Sequence, residues 1–274
     1  MKDWKALVFL FGIVFIAGCT IPGISGGGGG AGLSMTLQLS DTTVEPNTNT
    51  YLTLKVQNNA EATATGITAQ LMGLAPDWQV SPGTLIGIPD LTGTDPSHGQ
   101  SQGQADVEVW NLAGPALSAQ TPYQFSVRMT YNYQTSRNVV VRAASSSYYL
   151  QNKITTGIVS QSGTGGPISI TVRVPNAVFA GSSFPIYVDF NNAGSGSVVG
   201  NTLNVAVTGS GISCQQNVVK LIPDSNNVGR TGFLRCTAST AGVSGWGQFT
   251  FSVYATYTYA IEQFQTITVN ARAS

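Results

Sequence analysis

YQFSVRMTYNY, residues 123–133, lies over FTFSVYATYTY, residues 249–259, at an offset of 126, with six of eleven residues identical. In the first stretch Tyr, Phe, Val, Met, Tyr and Tyr hold the odd positions, and Gln, Ser, Arg, Thr and Asn the even ones. That period of two gives an extended strand with one buried and one wet face. Tyr131, Tyr133, Tyr257 and Tyr259 keep the buried parity, so they read as core before they read as a sugar-stacking platform.

The repeat extends outward. At an offset of 134, Leu52-x-Leu54-x-Val56-x-Asn58 falls on Ile186-x-Val188-x-Phe190-x-Asn192, Gly66 on Gly200, Val44 on Val178, and Ile88-Pro89-Asp90 on Ile222-Pro223-Asp224. A single insertion of eight residues between Asp90 and Val107 accounts for the change of offset. The chain therefore holds two copies of one unit, at 34–145 and 167–274, joined by a linker over 146–166. Met35/Leu37/Leu39 and Ile168/Ile170/Val172/Val174 open the copies with the same alternation. Short strands between turn-rich segments such as EPNTN and NNAGSGSVVG predict about seven strands per copy, an all-β fold of two tandem immunoglobulin-like antiparallel β-sandwiches. A small barrel shares this pattern and is the alternative.

VEPNTNTYLTLKVQNNAEATATGITAQL, residues 44–71, resembles the CARDB-like immunoglobulin-type domains of archaeal and bacterial surface proteins. Those domains run Pro-Gly, alternating strand, Asn-x-Gly, small residues, alternating strand. Here Pro46-Asn47 and Asn58-Asn59-Ala60 stand at the two motifs, and the second copy has Ala180-Gly181 and Asn192-Ala193-Gly194. The resemblance covers about forty residues per copy. It implies an adhesive or scaffolding module with no catalytic residues to carry over.

The N-terminus supplies an address. Lys2 and Lys5 precede thirteen uncharged, mostly apolar residues, Ala6 to Gly18, too short for the roughly 20 residues of a spanning helix. Ile16-Ala17-Gly18-Cys19 resembles the lipobox of prokaryotic lipoproteins, in which the thiol takes a diacylglycerol and the cysteine becomes the first mature residue. The resemblance implies a signal peptide over 1–18, a lipidated Cys19, and a glycine-rich tether over 19–33. An ordinary cleaved signal and an uncleaved anchor are the alternatives, and each places the bulk of the chain outside the cytoplasm. The tether's glycines lack the flanking strand and helix of a phosphate-binding loop.

Beyond residue 19 there remain ten Lys+Arg and eleven Asp+Glu, with no basic stripe, so nucleic acid is not an expected partner. The expected partners are a membrane, through the lipid, and an envelope protein or polysaccharide. No N-x-S/T sequon occurs.

Cys214 and Cys236 both lie in the second copy, and the two offsets put Val80 and Trp110 in their places in the first. An exported chain favours a disulfide over two buried thiols. His98, the only histidine, sits in DLTGTDPSHGQSQGQAD with neither a G-x-S-x-G elbow nor a zinc ligand set, and reads as a solvated loop residue. Asp90, Asp95 and Asp106 bracket the same loop as turn formers, with a calcium site as the sharper alternative. The extra loop, with Asp95, His98 and Asp106, is the candidate contact surface, and drift in loop length is the alternative. Tyr148-Tyr149 are contact residues or junction packing. No metal or cofactor is expected. The expected function is that of a lipid-anchored, cell-surface structural or adhesive protein, not an enzyme. A glycan- or ligand-binding accessory protein of the envelope and a surface-filament subunit are the alternatives.

Overall fold

The computed structural model describes residues 32–226 and 228–272. The first copy runs β1 (Leu33–Leu39), β2 (Thr43–Val44), β3 (Asn49–Asn58), β4 (Thr65–Met72), β5 (Gln79–Ser81), β6 (Leu85–Ile88), β7 (Ala105–Ala113) and β8 (Thr121–Ala144). A short helix, α1 (Ser146–Asn152), and β9 (Gly157–Ser162) occupy the linker. The second copy follows with β10 (Ile168–Arg173), β11 (Ser183–Asn192), β12 (Ser197–Val198), β13 (Thr202–Thr208) and β14 (Ile212–Cys214). It ends with β15 (Val218–Lys220), β16 (Ile222–Pro223), β17 (Gly229–Ser239) and β18 (Trp246–Val269).

A four-stranded sheet, β1-β3-β7-β5, and a five-stranded one, β10-β11-β17-β14 with β16 also beside β17, each cover one half of a single long sheet, β15-β13-β18-β8-β4-β6. In each half two antiparallel sheets face each other with the side-by-side arrangement of an immunoglobulin-like sandwich, except that the strand edging the smaller sheet (β5, β14) comes before the strand edging the long sheet (β6, β15) in the chain. The alternation predicted from sequence is the burial pattern. Leu52, Leu54, Val56, Trp110 and Leu112 face Ile67, Phe125, Val127, Met129 and Ile267 in one core. Ile186, Val188, Phe190, Leu234 and Cys236 face Leu203, Val205, Phe251, Val253 and Val141 in the other.

The copies are not closed on themselves. All 24 residues of β8 oppose all 24 of β18, from Thr121↔Val269 to Ala144↔Trp246. The first half of β8 lies beside β4, and its second half beside β9, opposite the stretch of β18 that pairs with β13. The second half of β18 runs back along the first half of β8 and meets β2 in parallel. Each sandwich thus takes its last strand from the other copy. A division at 34–145 and 167–274 describes the repeat in sequence, whereas the sheets exchange 134–144 and 260–269. The local reason is that QTSRN (134–138) and AIEQF (260–264) hold no Gly, Pro or Asn-Gly to turn a hairpin, so each strand runs straight on.

The register fixes the symmetry. An offset of 126 carries Asn132 to Thr258, and these two residues are also cross-strand partners, with the Thr258 hydroxyl donating to Asn132 Oδ1 at 2.8 Å. A local two-fold axis therefore passes between them. At about 3.4 Å per residue the shared ribbon is about 80 Å long, with the axis at its waist.

Candidate contact surfaces

The waist is built from the four repeat-related tyrosines, all buried. Tyr131 accepts from the Leu33 amide at 3.2 Å, and its mate Tyr257 accepts from the Ile168 amide at 3.2 Å. Tyr133 donates to the Ala62 carbonyl at 2.9 Å, while Tyr259 donates to Asn192 Oδ1 at 2.8 Å and accepts from the Gly196 amide at 3.0 Å. The core reading of these tyrosines is the correct one. Burial pushes all four hydroxyls up, Tyr131 well above its ordinary range and Tyr259 to about 12.

Asn58 and Asn192, the asparagines of the surface-domain resemblance, hold the adjoining turns. Asn58 Nδ2 donates to the Ala62 and Leu91 carbonyls, and Asn192 Nδ2 to those of Gly196 and Gly229. Their Oδ1 atoms accept from Ala60 and Gly194 amides. Buried amides satisfied on both sides fix these turns to the core. Gly166 shows how tightly the waist packs, since a Cβ there would lie 2.6 Å from Thr135 Oγ1 and from the Tyr133 ring.

The inserted loop, 91–104, is stitched to this same end of the first sandwich. The Asn58 amide donates to the Gln104 carbonyl and the Thr94 amide to the Ala60 carbonyl, with Gly93 and Gly103 against the 58–61 backbone. Its tip is a hairpin in which Asp95 and Gln100 exchange backbone hydrogen bonds. Asp95 caps the tip: Oδ1 accepts from the Ser97 hydroxyl and the His98 amide, and Oδ2 lies 2.6 Å from His98 Nδ1. The Ser97 hydroxyl first, then His98, hold the Asp95 carboxyl below its ordinary range. The His98 side chain is 81% exposed, a solvated loop residue. Asp106 belongs elsewhere: it sits in β7 opposite Val56. Asp90 accepts from the Gly66 amide. The three aspartates are not brought together, and among the described residues no group of three His, Cys, Asp or Glu is placed to hold a metal.

Cys214 and Cys236 are cross-strand partners joined by the expected disulfide, and their Cα atoms are 4.0 Å apart, closer than the usual range of about 4.4–6.8 Å. Their expected counterparts do not match as a pair. Val80 lies opposite Leu112, so β5 meets β7 two residues out of step with the sequence offset. The fully buried Trp110 indole takes that space and donates to the Gly83 carbonyl at 2.9 Å. Cys19 lies outside the described residues.

Sequence reasoning missed two surfaces. On the outer face of β11 and β17, Tyr187 stacks on Phe233 with centroids 6.1 Å apart, the Arg235 guanidinium lies 5.8 Å from the Tyr187 ring, and Arg173 pairs with Asp189 at 2.7 Å. The registers put Thr53, Val107, Val109, Gln38 and Lys55 at the equivalent places of the first sandwich. The same fold forms without the aromatic and guanidinium groups, and that contrast was the available signal. The linker is the second. It is structured, with Tyr149 of α1 packed edge-on to Phe179 at 6.0 Å and β9 paired to β8. Tyr149 is thus packing at the end of the second sandwich.

No protein-family model matches the chain, and no curated protein matches it. Among solved structures, an Escherichia coli alpha-2-macroglobulin activated by porcine elastase aligns over 90% of this chain and 22% of its own, at 12% identity and a TM-score of 0.22. The Yersinia pseudotuberculosis adhesin InvE aligns over 89% of this chain and 62% of its own, at 16% identity and a TM-score of 0.19. The collagen adhesin of S. aureus aligns over 89% and 96%, at 11% identity and a TM-score of 0.14. The chain spans about a fifth of the first and under two thirds of the second. Scores this low carry no functional argument.

Proposed function

We propose that the protein is a lipid-anchored, cell-surface structural or adhesive protein that works by binding and spacing. The observation that carries this reading is the exchange of last strands, which makes one continuous rod of two sandwiches. Separating them means breaking a 24-residue ladder, not straightening a linker. The chain enters the rod at Leu33, whose amide is held by Tyr131 at the waist. Anchored through Cys19, the rod is tethered at its middle and presents both ends to an envelope protein or polysaccharide. Mass spectrometry of the mature N-terminus tests the anchor. A diacylglyceryl-modified Cys19, with release or blocked maturation in Cys19→Ser, is expected. An unmodified N-terminus beyond residue 19 would remove the lipid from the account.

One observation favours a glycan- or ligand-binding accessory protein instead. The Tyr187/Phe233 pair, with Arg235 beside it, offers ring faces and guanidinium donors to a polysaccharide. On this reading the double variant Tyr187→Ala/Phe233→Ala keeps its melting temperature and loses retention on purified envelope polysaccharide. Unchanged retention would leave the spacer reading alone.

A further inference from the structure

On the side of β18 away from β8, β13 covers Ser252–Thr256, β12 covers Tyr259–Ala260, and β2 covers Thr268–Val269. Between β12 and β2, among the described residues, no strand lies beside 261–267, IEQFQTI. The Thr268 and Asn270 amides donate to the carbonyls of Thr42 and Val44 on this side. By alternation, Glu262, Phe264 and Thr266 also turn both their backbone groups this way. Phe264 is 63% exposed.

The two-fold supplies an internal control. Residues 264–268 correspond to 138–142 of β8, and there the edge is covered by β9, from Asn138↔Ser162 to Arg142↔Gly157. The surroundings match as well. Gln263 Nε2 donates to the Met35 carbonyl at 2.7 Å, and its mate Arg137 donates from Nε to the Ile170 carbonyl at 3.1 Å. Two edges of the same build thus differ in that one carries a short strand.

We propose that the 261–267 edge binds an extended segment of a partner polypeptide by strand addition. This goes beyond the spacer reading and does not depend on the lipid. The slot is about 23 Å long, at about 3.3 Å per residue, and is closed at both ends by β12 and β2 in the plane of the sheet. A short segment that leaves the plane at each end fits it, as β9 fits the equivalent edge. A second copy pairing through its own 24-residue β18 would run into β2. The chain's own counterpart of β9 by offset is 23–28, Gly-Ile-Ser-Gly-Gly-Gly, which lies outside the described residues and whose four glycines are a poor strand sequence. Charge on an edge discourages pairing. Here Glu262, the segment's one charge, accepts from the Ser126 hydroxyl at 2.7 Å and so is drawn over β8. The partner segment is therefore about six residues long, uncharged, with an apolar side chain over Phe264.

A peptide copying residues 155–164, TTGIVSQSGT, is the probe, added to the full chain while amide exchange is followed residue by residue. The account predicts saturable slowing of about tenfold or more at the 262, 264 and 266 amides. It also predicts loss of that slowing in Thr266→Pro, which removes an outward-facing donor and leaves the β8 ladder and the melting temperature intact. No slowing at saturating peptide overturns the proposal, as does slowing that survives Thr266→Pro. Protection already present without peptide and abolished by deleting 23–28 overturns it too, because the chain then fills its own edge.

Discussion

Tyr131 and Tyr259 meet across the β8–β18 pair with ring centroids 5.8 Å apart and planes at 52°. Their mates Tyr257 and Tyr133 meet in the same way at 6.2 Å and 42°. The repeat thus places four rings about one axis, and each hydroxyl anchors the entry or turn of a sandwich. The waist is a core, and its chemistry makes it sensitive to base.

Tyrosine ionisation should report that core. Burial raises Tyr259 from an ordinary value near 10 to about 12, and raises its three neighbours as well. The folded state then holds protons that the unfolded state has released, so this contribution is whole below pH 10 and is lost as pH rises from 10 towards 12. Absorbance titration should show a group of tyrosines that ionise only with cooperative unfolding in that window. Ten tyrosines titrating together near pH 10 with the fold intact would contradict the packing.

Asn192→Ala removes the amide that satisfies the Gly196 and Gly229 carbonyls, the Gly194 amide and the Tyr259 hydroxyl. Leaving these groups unpaired should cost about 3 kcal/mol in denaturant unfolding. A loss under about 1 kcal/mol would mean that water replaces the side chain freely.

Reducing the disulfide should destabilise the protein by roughly 3 kcal/mol, since Cys214 and Cys236 close a 22-residue loop. Cys214 lies on the short edge strand β14 while Cys236 is buried in β17, so the edge should lose amide protection first. Calorimetry with and without reductant checks the size. Equal melting in both would show the bond to be dispensable.

Removing all eight extra loop residues would cut the Asn58–Gln104 and Thr94–Ala60 hydrogen bonds, so the removable part is the tip. Replacing Pro96–Gly99 by Asn-Gly keeps the Asp95↔Gln100 bridge as a two-residue hairpin. Stability should stay within about 0.5 kcal/mol, while attachment to envelope falls if Asp95 and His98 form the contact. Full attachment by the shortened protein would make the tip a spacer.

Much of the fold was legible in the residues. Alternation in 123–133 and 249–259 marked the buried faces, and the offsets marked the repeat. The exchange was not, because alternation runs through Tyr133 and Gln134 without a break and says nothing of which strand lies alongside. What was available was negative: no Gly, Pro or Asn-Gly follows Tyr133 or Tyr259 within five positions. The misplacement of Val80 against Trp110 has a similar source, since a sequence offset does not carry the two-residue shift between β5 and β7. The loop's position was unreadable for the opposite reason. Its anchoring is made by backbone carbonyls and amides at 58–61, which every sequence supplies.

The strand exchange is the central claim, and one cross-link tests it most directly. Gln124 and Thr266 are opposed on β8 and β18, 142 residues apart in sequence, at a pair whose backbone groups point away from each other. Cysteines at 124 and 266 should oxidise to one intramolecular disulfide in the folded protein, and a cut placed in 146–156 should then leave the two pieces joined until reductant is added. Free thiols at both positions, with pieces that part after the cut and refold as separate sandwiches, would contradict the exchange.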